Sequence, residues 1–229
     1  MEAIATFAFG IVISLVAFQG ARWLSGKLHS PLLNPLLVAT AFIIVILSVF
    51  HIPLADYQQG AQLISFFLGP ATAVLAYSVY RQIAVLKRHF IPIMTGCLVG
   101  SLTSMLSAFL LCKVFGLDEA VTMSMLPKSV TTPIAMSLSE ELGGITSVTV
   151  AVVIATGIMG SILAPTLIKV FHVKSPIAAG VAIGTCSHAI GTSRAMQLGE
   201  IEGAMSGIAI GVSGLLTMIL ALLYHSMMM

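Results

Sequence analysis

Leu126-Pro127-Lys128-Ser129-Val130-Thr131-Thr132-Pro133 places a cation, three hydroxyls and two prolines within eight residues. The chain around it is very apolar, so a cation here needs a reason. The stretch also has an echo sixty residues later. Aligning Thr131–Gly143 with Gly191–Gly203 matches six of thirteen positions: Thr132/Thr192, Ala135/Ala195, Met136/Met196, Leu138/Leu198, Glu140/Glu200 and Gly143/Gly203. Ordinary compositions give about one match by chance. In this register Lys128 falls opposite His188. A repeated, interrupted, polar element in an apolar chain points to a transport site.

Of the 229 residues, 58% are hydrophobic and 8% charged, and the mean hydropathy is +1.09. Soluble domains carry about 25% charged residues. So little polar material cannot cover a soluble globule, and the composition predicts an all-α integral membrane protein. A net charge of +2 gives no footprint for nucleic acid. Cys97, Cys112 and Cys186 show no metal-ligand spacing and read as small buried hydrophobes. No metal or cofactor is expected. The early charge is Glu2, and no small-x-small site follows the first apolar run, so that run reads as a retained helix.

Six charge-free runs are long enough to span a bilayer, which takes about 20 residues: 3–21, 32–50, 61–80, 91–112, 145–168 and 204–224. All 18 charged residues lie outside them. Pro31 and Pro35 suit the start of the second span. Asp56 and Tyr57 read as a short loop. Gly69-Pro70 suggests a kink in the third span, which runs out through Tyr77 and Tyr80 as interfacial anchors. The fourth span is rich in Ser, Thr and Gly, the composition of a closely packed interior helix.

Two segments, 117–144 and 175–203, are too polar for lipid and too apolar for surface loops. The first divides into half-helices at 118–126 and 133–142. Thr132 is the expected N-cap, Pro133 the first helical residue, and Gly143-Gly144 the stop. In the second, Pro176 starts a half-helix that breaks near Ser187–Gly191. Thr192 or Ser193 then caps the next half, and Gly203 follows it.

Lys and Arg favour cytoplasmic loops. If both segments are re-entrant hairpins, Arg22, Lys27, Arg81, Lys87, Arg88, Lys169 and Lys174 are cytoplasmic and Lys113 is outside, a split of seven to one. If both cross, the split is five to three. The hairpin arrangement is therefore expected, with both termini outside and the hairpins entering from opposite faces. That is an inverted-repeat, transporter-like fold of six transmembrane helices plus two broken half-helix hairpins. One domain spans 1–229, with scaffold-like helices in 1–89 and the repeat-containing core in 90–229.

A Lys at the bilayer centre costs roughly 2.5–3.5 kcal/mol on insertion scales. Lys128 therefore reads as an anion binder facing a cavity, or else as a cation snorkelling to an interface. Arg194 reads as a carboxylate clamp; the alternatives are Glu200, Glu202 or a phospholipid head group. His188 is either a proton carrier or a structural residue satisfied by a neighbour. Half-helix N-termini near Thr131–Pro133 and Thr192–Ser193 add N–H donors. Together Lys128, Ser129, Thr131, Thr132, Ser187, His188, Gly191, Thr192 and Arg194 form a candidate binding set for a small carboxylate. Pro127, Pro133, Gly143 and Gly144 shape the breaks. No catalytic residue is expected: adjacent residues such as Ser187-His188 do not face each other on a helix, and no G-x-S-x-G elbow occurs.

Pro31-Leu32-Leu33-Asn34-Pro35-Leu36, the stretch from Leu126 to Ala135, Gly143-Gly144-Ile145, and Gly184-Thr185-Cys186-Ser187-His188-Ala189-Ile190-Gly191-Thr192 together resemble the LrgB/CidB family. The resemblance covers essentially the whole chain. Ser193 departs from it where many relatives carry Ala, and Tyr77–Tyr80 lacks a proline often found there. The resemblance implies a bacterial plasma (inner) membrane location and a small LrgA/CidA-type membrane partner. It implies two competing functions. One is antiholin-like regulation of murein hydrolase export and lysis. The other is carriage of small monocarboxylates of the glycolate, glycerate or pyruvate type. A homodimer is an open possibility, and the membrane lipid is a constant contact.

Overall fold

The computed structural model describes residues 2–28, 35–67, 69–70, 73–74, 77, 80 and 83–228. Every regular element among them is helical: α1 (Glu2–Leu28), α2 (Pro35–Val49), α3 (Leu54–Phe66), α4 (Ile83–Arg88), α5 (Phe90–Val114), α6 (Glu119–Met125), α7 (Thr132–Glu141), α8 (Thr146–Val170), α9 (Pro176–Leu198) and α10 (Glu200–Met228). Among the described residues, four stretches are long and apolar enough to cross a bilayer: Ala8–Leu28, Phe90–Val114, Thr146–Val170 and Glu200–Ser226. They overlap the first, fourth, fifth and sixth expected spans. The apolar stretch in α2 is shorter, Val38–Val49, and Pro31 lies outside the described residues. Large side chains such as Ile91 and Val114 are 72% and 79% exposed. Water would make that surface costly; lipid makes it ordinary.

The chain forms two compact units, Met1–Ala71 and Thr72–Met229. In the first, α1 packs on α2 and α3. Gly10 of α1 meets α3 backbone to backbone: a methyl group at Gly10 would lie 2.6 Å from the Tyr57 carbonyl oxygen and 2.7 Å from Gly60 Cα. The Ser14 and Tyr57 hydroxyls share a hydrogen bond of 2.8 Å. Asp56 and Tyr57 are thus in the first turns of α3, not in a loop. Pro53 starts that helix seven residues ahead of the expected third span, and the Tyr57 hydroxyl finds its partner on α1. Gly69 and Pro70 are helical, while residues 68 and 71–72 on either side lie outside the described set, and with them the geometry of the expected kink. Tyr77 and Tyr80 are both exposed.

The second unit is organised by three long helices, α5, α8 and α10. Segment 117–144 folds back between α6 and α7: Met123 and Leu126 share a buried cluster with Leu138 and Leu142. Segment 175–203 also folds back, although its hydrogen bonding is nearly continuous. Inside α9, His188 alone has non-helical torsions, φ 41° and ψ −140°. Ile183 and Ala195 share one buried cluster with Ala164, whereas residues twelve apart in a straight helix are about 18 Å apart. The chain therefore reverses at His188.

The two hairpins lie at opposite ends of α10. The first clusters with Ala221 and Tyr224, and Ile134, nearer its tip, touches Gly214. In the second, Gly180 lies on Glu202 and Met205, and Gly184, nearer its tip, lies on Ser206 and Ala209. On α8, Val153 packs against Val130 and Ala135 of the first hairpin. Its carbonyl oxygen also lies 2.9 Å from His188 Nε2 of the second. The tips approach each other at mid-helix.

Several boundaries differ from the sequence reading. The N-cap of α7 is Thr131, not Thr132, and its side chain makes no capping bond. Pro133 is accordingly the second helical residue. Neither Thr192 nor Ser193 is a cap. Each hydroxyl donates to the carbonyl four residues back, His188 at 2.9 Å and Ala189 at 3.3 Å, which places both inside the helix. Gly203 lies within α10; the chain turns at Gly199 instead. Gly143 does end the first hairpin, with φ 75°, a torsion that favours glycine.

Candidate functional site

The first tip starts from a capped helix. Asp118 accepts a hydrogen bond from the Val121 N–H at 2.8 Å, so α6 begins firmly and runs into Pro127. Turn bonds join the Lys128 N–H to the Met125 carbonyl and the Val130 N–H to the Pro127 carbonyl, both 3.3 Å. The returning helix is held at its base by hydroxyls. Thr149 donates to Ser139 at 2.7 Å, and the Ile145 N–H donates to Ser124 at 2.6 Å. Gly144 sits between them, where a methyl group would lie 2.6 Å from Ser139 Oγ and 2.9 Å from Ser124 N.

Lys128 therefore projects from a rigid turn. It is half-buried. Its ammonium donates to Ser104 Oγ of α5 at 3.0 Å and to Ser129 Oγ at 3.4 Å, while the two hydroxyls bond each other at 2.7 Å. An ammonium has three donors, and among the described residues no carboxylate joins these two hydroxyls. Among the described residues, the Thr131 hydroxyl in the same tip is buried without a partner, and so is that of Ser101 on α5. Buried polar groups are normally paired, so this tip holds spare hydrogen-bonding capacity around a positive charge.

The second tip is held by contrast. A non-glycine residue at φ 41° costs on the order of 1–3 kcal/mol and persists only when its surroundings impose it. Here they do. A carbonyl only accepts, so His188 Nε2 carries the proton in its bond to Val153. The ring lies on Gly157, where a methyl group would be 2.6 Å from Cε1. Ser187 fills the place of a side chain at Gly160. Thr192 Oγ1 donates to the His188 carbonyl and shares a 2.7 Å hydrogen bond with Ser206 Oγ on α10. Gly191 is buried against Ser187 and Ile183.

Lys128, Ser129, Thr131, Ser187 and His188 thus gather where the tips approach, and Thr132 opens the returning helix beside them. Arg194 does not join them. It lies six residues past the reversal, about 9 Å back along the helix, and bonds Gln197 Oε1 at 2.6 Å on an exposed face. Three features escaped the sequence reading. Ser104 is the closest partner of Lys128; its signal was the Ser, Thr and Gly content of its span. Gly157 and Gly160 are the seat of the second tip. Cys186 is exposed, not a buried hydrophobe like Cys97 and Cys112, and it lies within electrostatic reach of Lys128.

Long apolar helices enclosing two broken hairpins and a cation define a helical integral membrane protein with a polar centre. The chain belongs to the LrgB-like family, whose profile matches residues 14–227. It is 42% identical over 214 residues to the antiholin-like protein LrgB of Bacillus cereus (strain B4264), covering 92% of each chain. The antiholin-like protein LrgB of Bacillus anthracis (strain A0248) is similar to the same extent. No solved structure matches the chain.

Proposed function

We propose that this protein is a secondary carrier of small monocarboxylates of the glycolate, glycerate or pyruvate type. The observation that carries the reading is Lys128: a half-buried ammonium, with no carboxylate partner among the described residues, where two hairpin tips approach. A charge in a membrane interior is retained for a pathway or a ligand. Ser129, Thr131 and Thr132 complete the anion's hydrogen bonds, with Ser187, Gly191 and Thr192 supporting the opposite wall. His188 Nδ1 is the nitrogen available for a coupled proton, since Nε2 is engaged. Arg194 serves at the approach rather than in the site. In this reading the chain has six spans, the hairpins re-enter as an inverted pair, and an LrgA/CidA-type protein is its partner.

The test is uptake into proteoliposomes of the purified protein, with and without the small partner, screened with pyruvate, glycolate, glycerate and lactate. Saturable uptake that unlabelled carboxylate competes is the expected result. A second reading, an antiholin-like role in murein hydrolase export and lysis, is favoured by the names of the relatives. It predicts no competable uptake and a shift in lysis timing when the protein is removed.

The seven-to-one charge split supports a topology prediction: both termini lie outside the cytoplasm. Alkaline phosphatase, which is active only outside, is expected to be active when fused after Met229. Activity of a cytoplasm-only reporter at that position would overturn the arrangement.

A further inference from the structure

The first half of α9 is enclosed on three sides. Successive residues of a helix are rotated by about 100°. Gly180 and Gly184 face α10, where their backbone meets Glu202 and Ser206. Val181 and Thr185 face α5, against Gly96 and Gly100, and Thr185 Oγ1 donates to Cys97 Sγ at 3.4 Å. Ile183 clusters with Ala164 of α8, and Ser187 fills the notch at Gly160. The remaining face carries Ala182 and Cys186, and both are exposed.

That fourth face opens into the gap between α5 and α8. α6, which leads into the first tip, packs on both of those helices. Lys128 is bonded to Ser104, one turn along α5 from Gly100, where Thr185 sits. Cys186 thus looks into the gap about one helical turn from the ammonium. Among the described residues, two of the buried unpartnered hydroxyls lie on the elements that form these walls. Thr131, 6% exposed, lies in the tip; Ser101, 2% exposed, lies on the α5 turn before Ser104. Exposed small side chains and spare buried hydroxyls around a cation describe a polar chamber, not a lipid face.

We propose that Cys186 lines the chamber in front of Lys128, so that a group joined to its sulfur blocks the anion site. The chamber takes a small anion, with the sulfur at its wall. The blocking of transport rests on the carrier reading; the position of the sulfur does not.

Charged methanethiosulfonates test both parts on the full-length protein in detergent. The Cys186 thiolate attacks the reagent's sulfenyl sulfur. A mixed disulfide forms, methanesulfinate leaves, and the thiol proton passes to water. Cys97 and Cys112 are 0% and 1% exposed, so the adduct is expected at Cys186 and is located by peptide mass. The anionic sulfonatoethyl reagent is expected to react roughly tenfold faster than the trimethylammonioethyl reagent, by focusing of the Lys128 field. The preference should vanish in Lys128→Gln. In the unaltered protein it should shrink at 1 M salt, where the screening length falls to about 3 Å.

Equal rates for the two reagents, or labelling by permeant N-ethylmaleimide alone, would place Cys186 on lipid and overturn the proposal. Excess glycolate or pyruvate is expected to slow labelling, and the sulfonatoethyl adduct to abolish uptake. A charge preference without carboxylate protection would leave the chamber standing and remove the carrier reading.

Discussion

Replacing Lys128 with alanine is expected to weaken carboxylate uptake by roughly ten- to a hundredfold in apparent affinity. An anion entering the hairpin tip loses water and must regain several hydrogen bonds. A bond to a charged donor contributes about 1.5–3 kcal/mol net, and about 1.4 kcal/mol is tenfold in affinity. The hydroxyls of Ser104, Ser129 and Thr131 remain in Lys128→Ala, so binding falls without vanishing. Lys128→Arg keeps the charge, but its planar fork does not fit the Ser104–Ser129 hydroxyl pair, so rescue should be partial. Lys128→Glu should abolish uptake by repulsion. Melting temperatures in detergent are expected to hold in the alanine variant, because Lys128 forms no ion pair among the described residues. Unchanged uptake kinetics in a well-inserted Lys128→Ala protein would make Lys128 structural.

The largest effect on stability is expected at Gly184. A methyl group there overlaps the Ser206 carbonyl oxygen and lies 2.9 Å from Ala209 Cβ. The obstacle includes helix backbone, which cannot rotate away as a flexible side chain does. Gly184→Val therefore forces α9 off α10 and pulls Ser187 from its notch on Gly160. Overpacking of a core costs about 1–3 kcal/mol, which lowers the melting temperature of a chain this size by about 3–10 °C. Gly207 is the control on α10: nothing lies within 4 Å of a methyl group there. Gly207→Ala should be neutral or slightly stabilising, because alanine is the better helix former by up to about 1 kcal/mol. Equal melting temperatures for Gly184→Val and the unaltered protein would show that this close crossing is not required.

Much of the first hairpin was legible because its punctuation is local. Pro127, Pro133 and Gly143-Gly144 restrict the backbone wherever they stand, and the break and the stop fall where those residues predict. The second hairpin carries a weaker signal. No proline or glycine stands at its reversal; His188 is forced to φ 41° by Gly157 beneath it, the Val153 carbonyl and Thr192. The cap of α7 was misplaced by one residue because Thr131 and Thr132 are equivalent by composition. Pro133 suits either of the first two helical positions. Arg194 looked like a site residue because a guanidinium just after the expected break suits a carboxylate clamp, whereas the fold carries it about 9 Å back from the tip.

The sequence alone determined the solvent and the parts: a lipid-embedded helical chain, two interrupted polar segments, and Lys128 at the first interruption. These follow from residue chemistry and from short-range backbone restriction, which act the same way in any surroundings. Only the tertiary structure decided the partners. Ser104 meets Lys128, Val153 joins the two tips, and Cys186 faces the open gap although its neighbours Thr185 and Ser187 are buried. Each is a spatial relation between residues distant in the chain. It depends on the rotation of one helix about its axis and on glycine notches in its neighbours, which no local pattern records.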